Sequence, residues 1–99
     1  MSISFQQIHQ ISIDAAWYTQ PFKGFCLDSC KLEAGQIFIA LNSYSQPEKT
    51  RLFAENALNA GALAVISETD LGLANEWVCP EVRYLMGEWQ KQYLQVVDP

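Results

Sequence analysis

The sequence predicts a small single α/β domain, with a mixed, partly parallel sheet of about four strands flanked by two main helices and a short amino-terminal helix. Three observations carry this expectation. First, a short apolar run from Ile37 to Leu41 is followed by a polar loop, a helix-forming segment ending at Gly61, and a second apolar run from Ala62 to Ile66. Strand, helix and strand in that order form a βαβ unit, whose strands run parallel. Second, a stretch opened by Pro80 places Val82, Leu85, Met86, Trp89 and Tyr93 on one helical stripe. Third, 99 residues that are 49% apolar and 17% charged suit one globular core and exclude disorder.

Taken in order, Ser4 to Ile11 puts Phe5, Ile8 and Ile11 on one helical face, a short helix that lids an edge of the core, with Ser2 or Ser4 as its cap. The segment from Ile13 to Phe22 closes on Gln20-Pro21, which disfavours helix; it is expected to be irregular, with Trp17 and Tyr18 tucked against the sheet. From Phe25 to Leu41 the chain reads as strand, polar elbow and strand, with Asp28 and Ser29 turning the chain and Gly35 marking a second turn. The elbow is either a plain hairpin-like connection or a rigid place to present N–H groups and a hydroxyl to a ligand.

Ser45 and Glu48 match an S-x-x-E capping box with Pro47 in the first turn, so the next helix is expected to begin near Gln46. Leu52, Phe53, Ala57 and Ala60 would form its core face, with Lys49, Glu55 and Asn59 toward water. A polar loop from Glu68 to Asn75 leads to a short edge strand at Trp77 to Cys79, then the second helix, whose stripe core packing explains. Residues 1–95 form the domain, and 96–99 are expected to start a linker.

Composition narrows the function. A net charge of −5 and a pI near 4.6 leave no surplus of Lys and Arg for nucleic-acid phosphates, so nucleic acid is not an expected partner. The sequence contains no apolar run of about eighteen residues, so no membrane span is expected. The amino terminus lacks the basic and apolar regions of a signal peptide, which predicts the cytoplasm. Cys26, Cys30 and Cys79 read as free thiols, without metal-ligand spacing, and His9 as a surface or helix-end residue. Phosphate-cradling and hydrolase motifs are absent, so the chain alone is not expected to hold ATP or to catalyse a reaction. One other location remains: residues 42 to 46, between the carboxyl end of a strand and the amino end of a helix, where α/β folds bind ligands although many such loops bind nothing.

The run from Leu27 to Leu41, L-D-S-C-K-L-E-A-G-Q-I-F-I-A-L, resembles the L-D-S-R-K-V-x-x-G-D-L-F-V-A-L signature of the amino-terminal domain of the Mur ligases. Phe53 to Ile66 is similar to that family's F-I-x-x-A-I-x-x-G-A-x-A-V-V, and the last helix up to Tyr93 to the L-x-x-L-A-x-x-F-Y helix preceding its central domain. Asp-Ser in the elbow is closest to the member adding the third peptide residue; the dipeptide-adding member is the near alternative. The resemblance implies binding of the uridine diphosphate end of UDP-N-acetylmuramoyl-L-alanyl-D-glutamate through Leu27 and Ser29, completed by Tyr44, Ser45 and Gln46. It also implies, for the full-length enzyme, central and carboxyl-terminal domains of the same chain, ATP and Mg2+, and meso-diaminopimelate as the added residue, with lysine the alternative. Cys30 stands where arginine is usual, and the loop from Asn42 to Arg51 is longer than the family's and lacks its D-G-H or D-G-R turn. A free-standing interaction domain with the same fold but no ligand, and a thiol-based redox protein, are the competing readings.

Overall fold

The computed structural model describes residues 2–10 and 12–97. Six strands and three α-helices appear among them, in the order β1 (Ile3–Ser4), α1 (Phe5–His9), β2 (Pro21–Phe22), β3 (Phe25–Cys26), β4 (Ile37–Ala40), α2 (Pro47–Asn59), β5 (Ala64–Ser67), β6 (Glu76–Val78) and α3 (Val82–Val97). The main sheet has the order β3-β4-β5-β6, and all three pairings are parallel. The antiparallel component is a separate ribbon, β1 with β2, registered Ile3 to Phe22.

The elbow between β3 and β4 is therefore not a hairpin. Parallel neighbours normally need a helix to carry the chain back, yet residues 27–36 do so with only a 3-10 turn at Ser29–Lys31. Strand length explains this: at about 3.3 Å per residue, strands of two and four residues are short enough for an irregular loop to span. The same holds for residues 68–75 between β5 and β6. Of the parallel connections, β4–α2–β5 is the one that uses a helix.

Because side chains alternate along a strand, the sheet separates two clusters. Ile37 and Ile39 of β4 with Ala64 and Ile66 of β5 face α1, α3 and the β1–β2 ribbon; Phe38, Ala40 and Val65 face α2. The larger cluster centres on Phe5, which is wholly buried. Its ring lies 5.0 to 6.4 Å from those of Trp17, Tyr18, Phe22, Phe25, Trp77 and Trp89. The amino-terminal helix thus supplies the centre of a core rather than a lid. Ser4 precedes it and donates its N–H to Gln7 Oε1 at 2.8 Å; Ile11, expected on its apolar face, lies outside the described residues. Trp17 and Tyr18 are buried as expected, but on a 3-10 turn, Ala16–Thr19, ahead of β2.

Helix α2 departs from expectation in two ways. It begins one residue late: Pro47 is its first residue and Gln46 its cap, so Ser45 lies outside and no capping box with Glu48 forms. Its core face is Thr50, Ala54 and Ala57, while Leu52, Phe53 and Ala60 are exposed. Small side chains let the helix lie close to the sheet, and they set the rotation. Its end is as expected: Gly61, at φ +104°, donates to the Leu58 carbonyl and Ala62 donates to that of Ala57, the paired bonds of a Schellman motif. In α3, Val82 and Trp89 are buried and Leu85, Met86 and Tyr93 pack against the same cluster, the predicted stripe. The helix continues through Val96 and Val97; residues 98–99, the rest of the expected linker, lie outside the described residues.

Candidate functional site

The carboxyl ends of β3, β4 and β5 lie at one edge of the sheet, and the loops leaving them carry the candidate residues. After β3, Asp28 pins the chain: its carboxylate accepts the Cys30 N–H at 2.9 Å, and its carbonyl accepts the Lys31 N–H at 3.0 Å and the Cys26 thiol at 3.1 Å. This is the turn-capping role expected of Asp28. It holds Ser29 at the start of a 3-10 turn that packs against α2.

The turn and the helix leave an open hollow of about 330 Å³, lined by Leu27, Asp28, Ser29, Cys30, Phe38 and Phe53. A narrower extension of about 100 Å³ runs past Ala40 and Leu41 to Thr50. Thr50 also borders a third hollow, of about 220 Å³, formed with Asn42, Ser43, Tyr44, Pro47, Thr69 and Leu71. The first two hollows share Leu27, Phe38 and Phe53 and the last two share Thr50, so they follow one another along the strand ends. Leu27 is 44% exposed and Phe53 43% exposed, so two large apolar side chains stand open to solvent in one cavity. Such exposure, inside a concavity and next to a hydroxyl, is what a ligand with a flat apolar ring requires.

The loop after β4 is built on local polar contacts. Ser43 N–H donates to Thr50 Oγ1 at 3.0 Å, and Ser43 Oγ accepts the Gln46 N–H at 3.2 Å. Asn42 N–H donates to Glu68 at 2.6 Å, and Arg83 of α3 reaches both Glu68 and the Asn42 carbonyl. Burial acts to raise the Glu68 pKa, but the Arg83 guanidinium and the Asn42 N–H outweigh it and hold the carboxyl below its ordinary value. On the far side of β5, Glu76 accepts from the Ser67 hydroxyl and from the Leu71 and Leu73 N–H groups, at 2.8 and 3.0 Å, which shapes the loop bearing Leu71.

Of the five residues implicated from sequence, Leu27 and Ser29 share the first hollow and Tyr44 borders the third. Ser45 and Gln46 are exposed and line neither. Phe53, Thr50, Glu68 and Arg83 were missed. Phe53 recurs at helical spacing with Ala57 and Ala60, which points it to the core; Glu68 and Arg83 are distant in sequence from the loop they hold, so no local pattern marks them. The three cysteines are free thiols: Cys30 is exposed on the hollow, while burial pushes the Cys79 thiol up, away from the reactive thiolate. No group of three His, Cys, Asp or Glu side chains is placed to hold a metal ion among the described residues.

No protein-family model and no curated protein matches the chain. Among solved structures, a UDP-N-acetylmuramoyl-L-alanyl-D-glutamate--2,6-diaminopimelate ligase is 72% identical in sequence and superimposes with a TM-score of 0.95 over 99% of this chain. The chain spans 20% of that ligase's length. At that identity, with the same fold over nearly every residue, the chain belongs to the Mur ligase family and carries the fold of its amino-terminal domain.

Proposed function

We propose that this domain anchors the uridine diphosphate end of UDP-N-acetylmuramoyl-L-alanyl-D-glutamate for an ATP-dependent ligase that adds meso-diaminopimelate as the third peptide residue. The observation that supports it most is the hollow shared by Leu27, Ser29 and Phe53 at the carboxyl end of a parallel sheet. Leu27 and Phe53 cover the faces of the uracil ring, and the Ser29 hydroxyl, both donor and acceptor, meets its polar edge. The diphosphate then runs toward residues 42 to 46 and the first turn of α2, where the N–H groups of Tyr44, Ser45 and Glu48, which take no partner among the described residues, favour an anion without any surplus of positive side chains. Ser45 contributes through its backbone N–H in this arrangement, since its side chain stands outside the hollows, while Gln46, whose N–H is taken by Ser43 Oγ, caps α2 and fixes the turn.

The reaction itself belongs to the remaining domains of the ligase. There, as the family resemblance implies, ATP would transfer its γ-phosphoryl group to the substrate carboxylate with release of ADP, the incoming amine would attack the acyl carbon and expel inorganic phosphate, and Mg2+ would offset the phosphate charge. This chain holds the substrate and is inactive alone. Cys30, where arginine is usual in the family, supplies no cation, so affinity rests on the ring contacts, Ser29 and backbone N–H groups. A pair of variants tests the reading. Ser29→Ala weakens binding of the UDP-linked dipeptide about tenfold, while Ser45→Ala leaves it unchanged. Equal affinity of Ser29→Ala and the unmodified chain overturns this reading.

A further inference from the structure

The loop that carries Asn42 and Tyr44 is held by side chains from elsewhere in the fold rather than by the sheet. The parallel ladder of β4 ends with Ala40 opposite Ser67, so the main-chain groups of Asn42 need other partners. Asn42 N–H donates to Glu68 Oε1 at 2.6 Å, and its carbonyl accepts from Arg83 Nη2 at 3.1 Å, across 41 residues of sequence. The same guanidinium donates through Nε to Glu68 Oε2 at 2.7 Å. Its central carbon lies 5.9 Å from the centroid of the Tyr44 ring, within reach of a cation–π contact. One cation in the first turn of α3 therefore ties the ends of β4 and β5 to the loop between β4 and α2.

We propose that Arg83 is a positioning residue for ligand binding, fixing the loop of residues 42 to 46 through Asn42 and Tyr44. This rests on the nucleotide-anchoring reading above. Two features separate it from a general contribution to stability. The Arg83 side chain is 40% exposed and belongs to neither apolar cluster, so truncating it opens no cavity in the core. Yet it supplies the donor for a carbonyl of the very loop that borders the third hollow. The geometry also calls for a fork: two N–H groups of one rigid plane serve acceptors on different elements, which a lysine ammonium on a flexible stem does not reproduce.

The test is titration calorimetry of the 99-residue chain with UDP-N-acetylmuramoyl-L-alanyl-D-glutamate, with amide spectra recorded alongside. Arg83→Ala is expected to weaken binding about tenfold, to shift the amide signals of residues 42 to 46, and to leave those of Val65 and Trp89 in place. Arg83→Lys is expected to recover only a minor part of the affinity. Should Arg83→Ala not fold, Glu68→Gln, which keeps an acceptor for Asn42 but removes the ion pair, is expected to give the same loop shifts and a smaller loss of affinity. If the unmodified chain binds and Arg83→Ala binds equally well, the proposal falls and the anchoring reading stands. If Arg83→Lys restores full affinity, charge rather than the fork is what matters and the proposal also falls. No binding by the unmodified chain overturns both.

Discussion

Replacing Gly61 by alanine should destabilise the domain severely, and the reason lies in two adjacent contacts. Gly61 ends α2 at φ +104°, where an L-residue pays about 1–2 kcal/mol. A methyl group there would stand 2.9 Å from Ala34 Cβ and 3.2 Å from Ala34 Cα. Neither atom can swing aside as a long side chain would, and overpacking of this kind costs about 1–3 kcal/mol. The backbone cannot retreat either, because the Gly61 carbonyl accepts the Gly35 N–H at 2.9 Å and so joins the end of α2 to the turn before β4. The sum is about 2–5 kcal/mol, less about 0.5 kcal/mol regained from a stiffer unfolded chain. For a domain of this size, that lowers the thermal midpoint by about 6 °C or more. Gly87→Ala is the control, since nothing lies within 4 Å of its added methyl inside α3. It should gain about 0.5–1 kcal/mol. Both variants can be followed by tryptophan fluorescence during thermal and urea unfolding. A Gly61→Ala midpoint within about 2 °C of the unmodified chain would mean that Ala34 and the turn around it yield to the added methyl, contrary to this expectation, given how steeply midpoints respond in small domains.

Other outcomes follow from the same structure. Glu76→Ala strips the Ser67 hydroxyl, which is fully buried, of its acceptor and frees two loop N–H groups; a loss of about 2–3 kcal/mol in urea unfolding is expected. His9 stacks on Phe5 at 5.3 Å and its Nε2 is buried without a partner, so burial lowers its pKa below 6.5. The unfolded chain takes up that proton first, so this stability is present above pH 6.5 and lost as pH falls through the lowered value. The urea midpoint should therefore drop between about pH 7 and about pH 5, and His9→Gln should flatten that drop. Glu68 acts in a lower window: its stabilisation is present above pH 4.5 and disappears as pH falls through its depressed value, which an Arg83→Ala titration of the carboxyl by NMR would show moving back up.

The βαβ unit, the stripe of α3 and the two glycine turns were legible because each rests on local pattern. The rotation of α2 was not. Leu52, Phe53, Ala57 and Ala60 recur at helical spacing and read as an inward face; the sheet instead takes Thr50, Ala54 and Ala57, where small side chains allow close approach. That rotation conceals part of the site from a sequence reading, because Phe53 turned outward lines the same hollow as Leu27. The direction of the β3–β4 pairing was equally hidden, since ten residues with turn signals fit a wide hairpin as readily as a short parallel return. Ser29 and Leu27 could be singled out only through the ligase signature. The clamp of Arg83 and Glu68 carries no local signal at all, being assembled by the fold from residues 15 apart in sequence and a loop 41 residues away.

The most direct test of the account is an amide-resolved NMR titration of the chain with UDP-N-acetylmuramoyl-L-alanyl-D-glutamate. Saturable shifts at Leu27, Ser29 and Phe53 and along residues 42 to 46, with the hollow between Gly24 and Tyr93 unmoved, are the predicted result. Signals at the strand ends that stay fixed at millimolar ligand would contradict it.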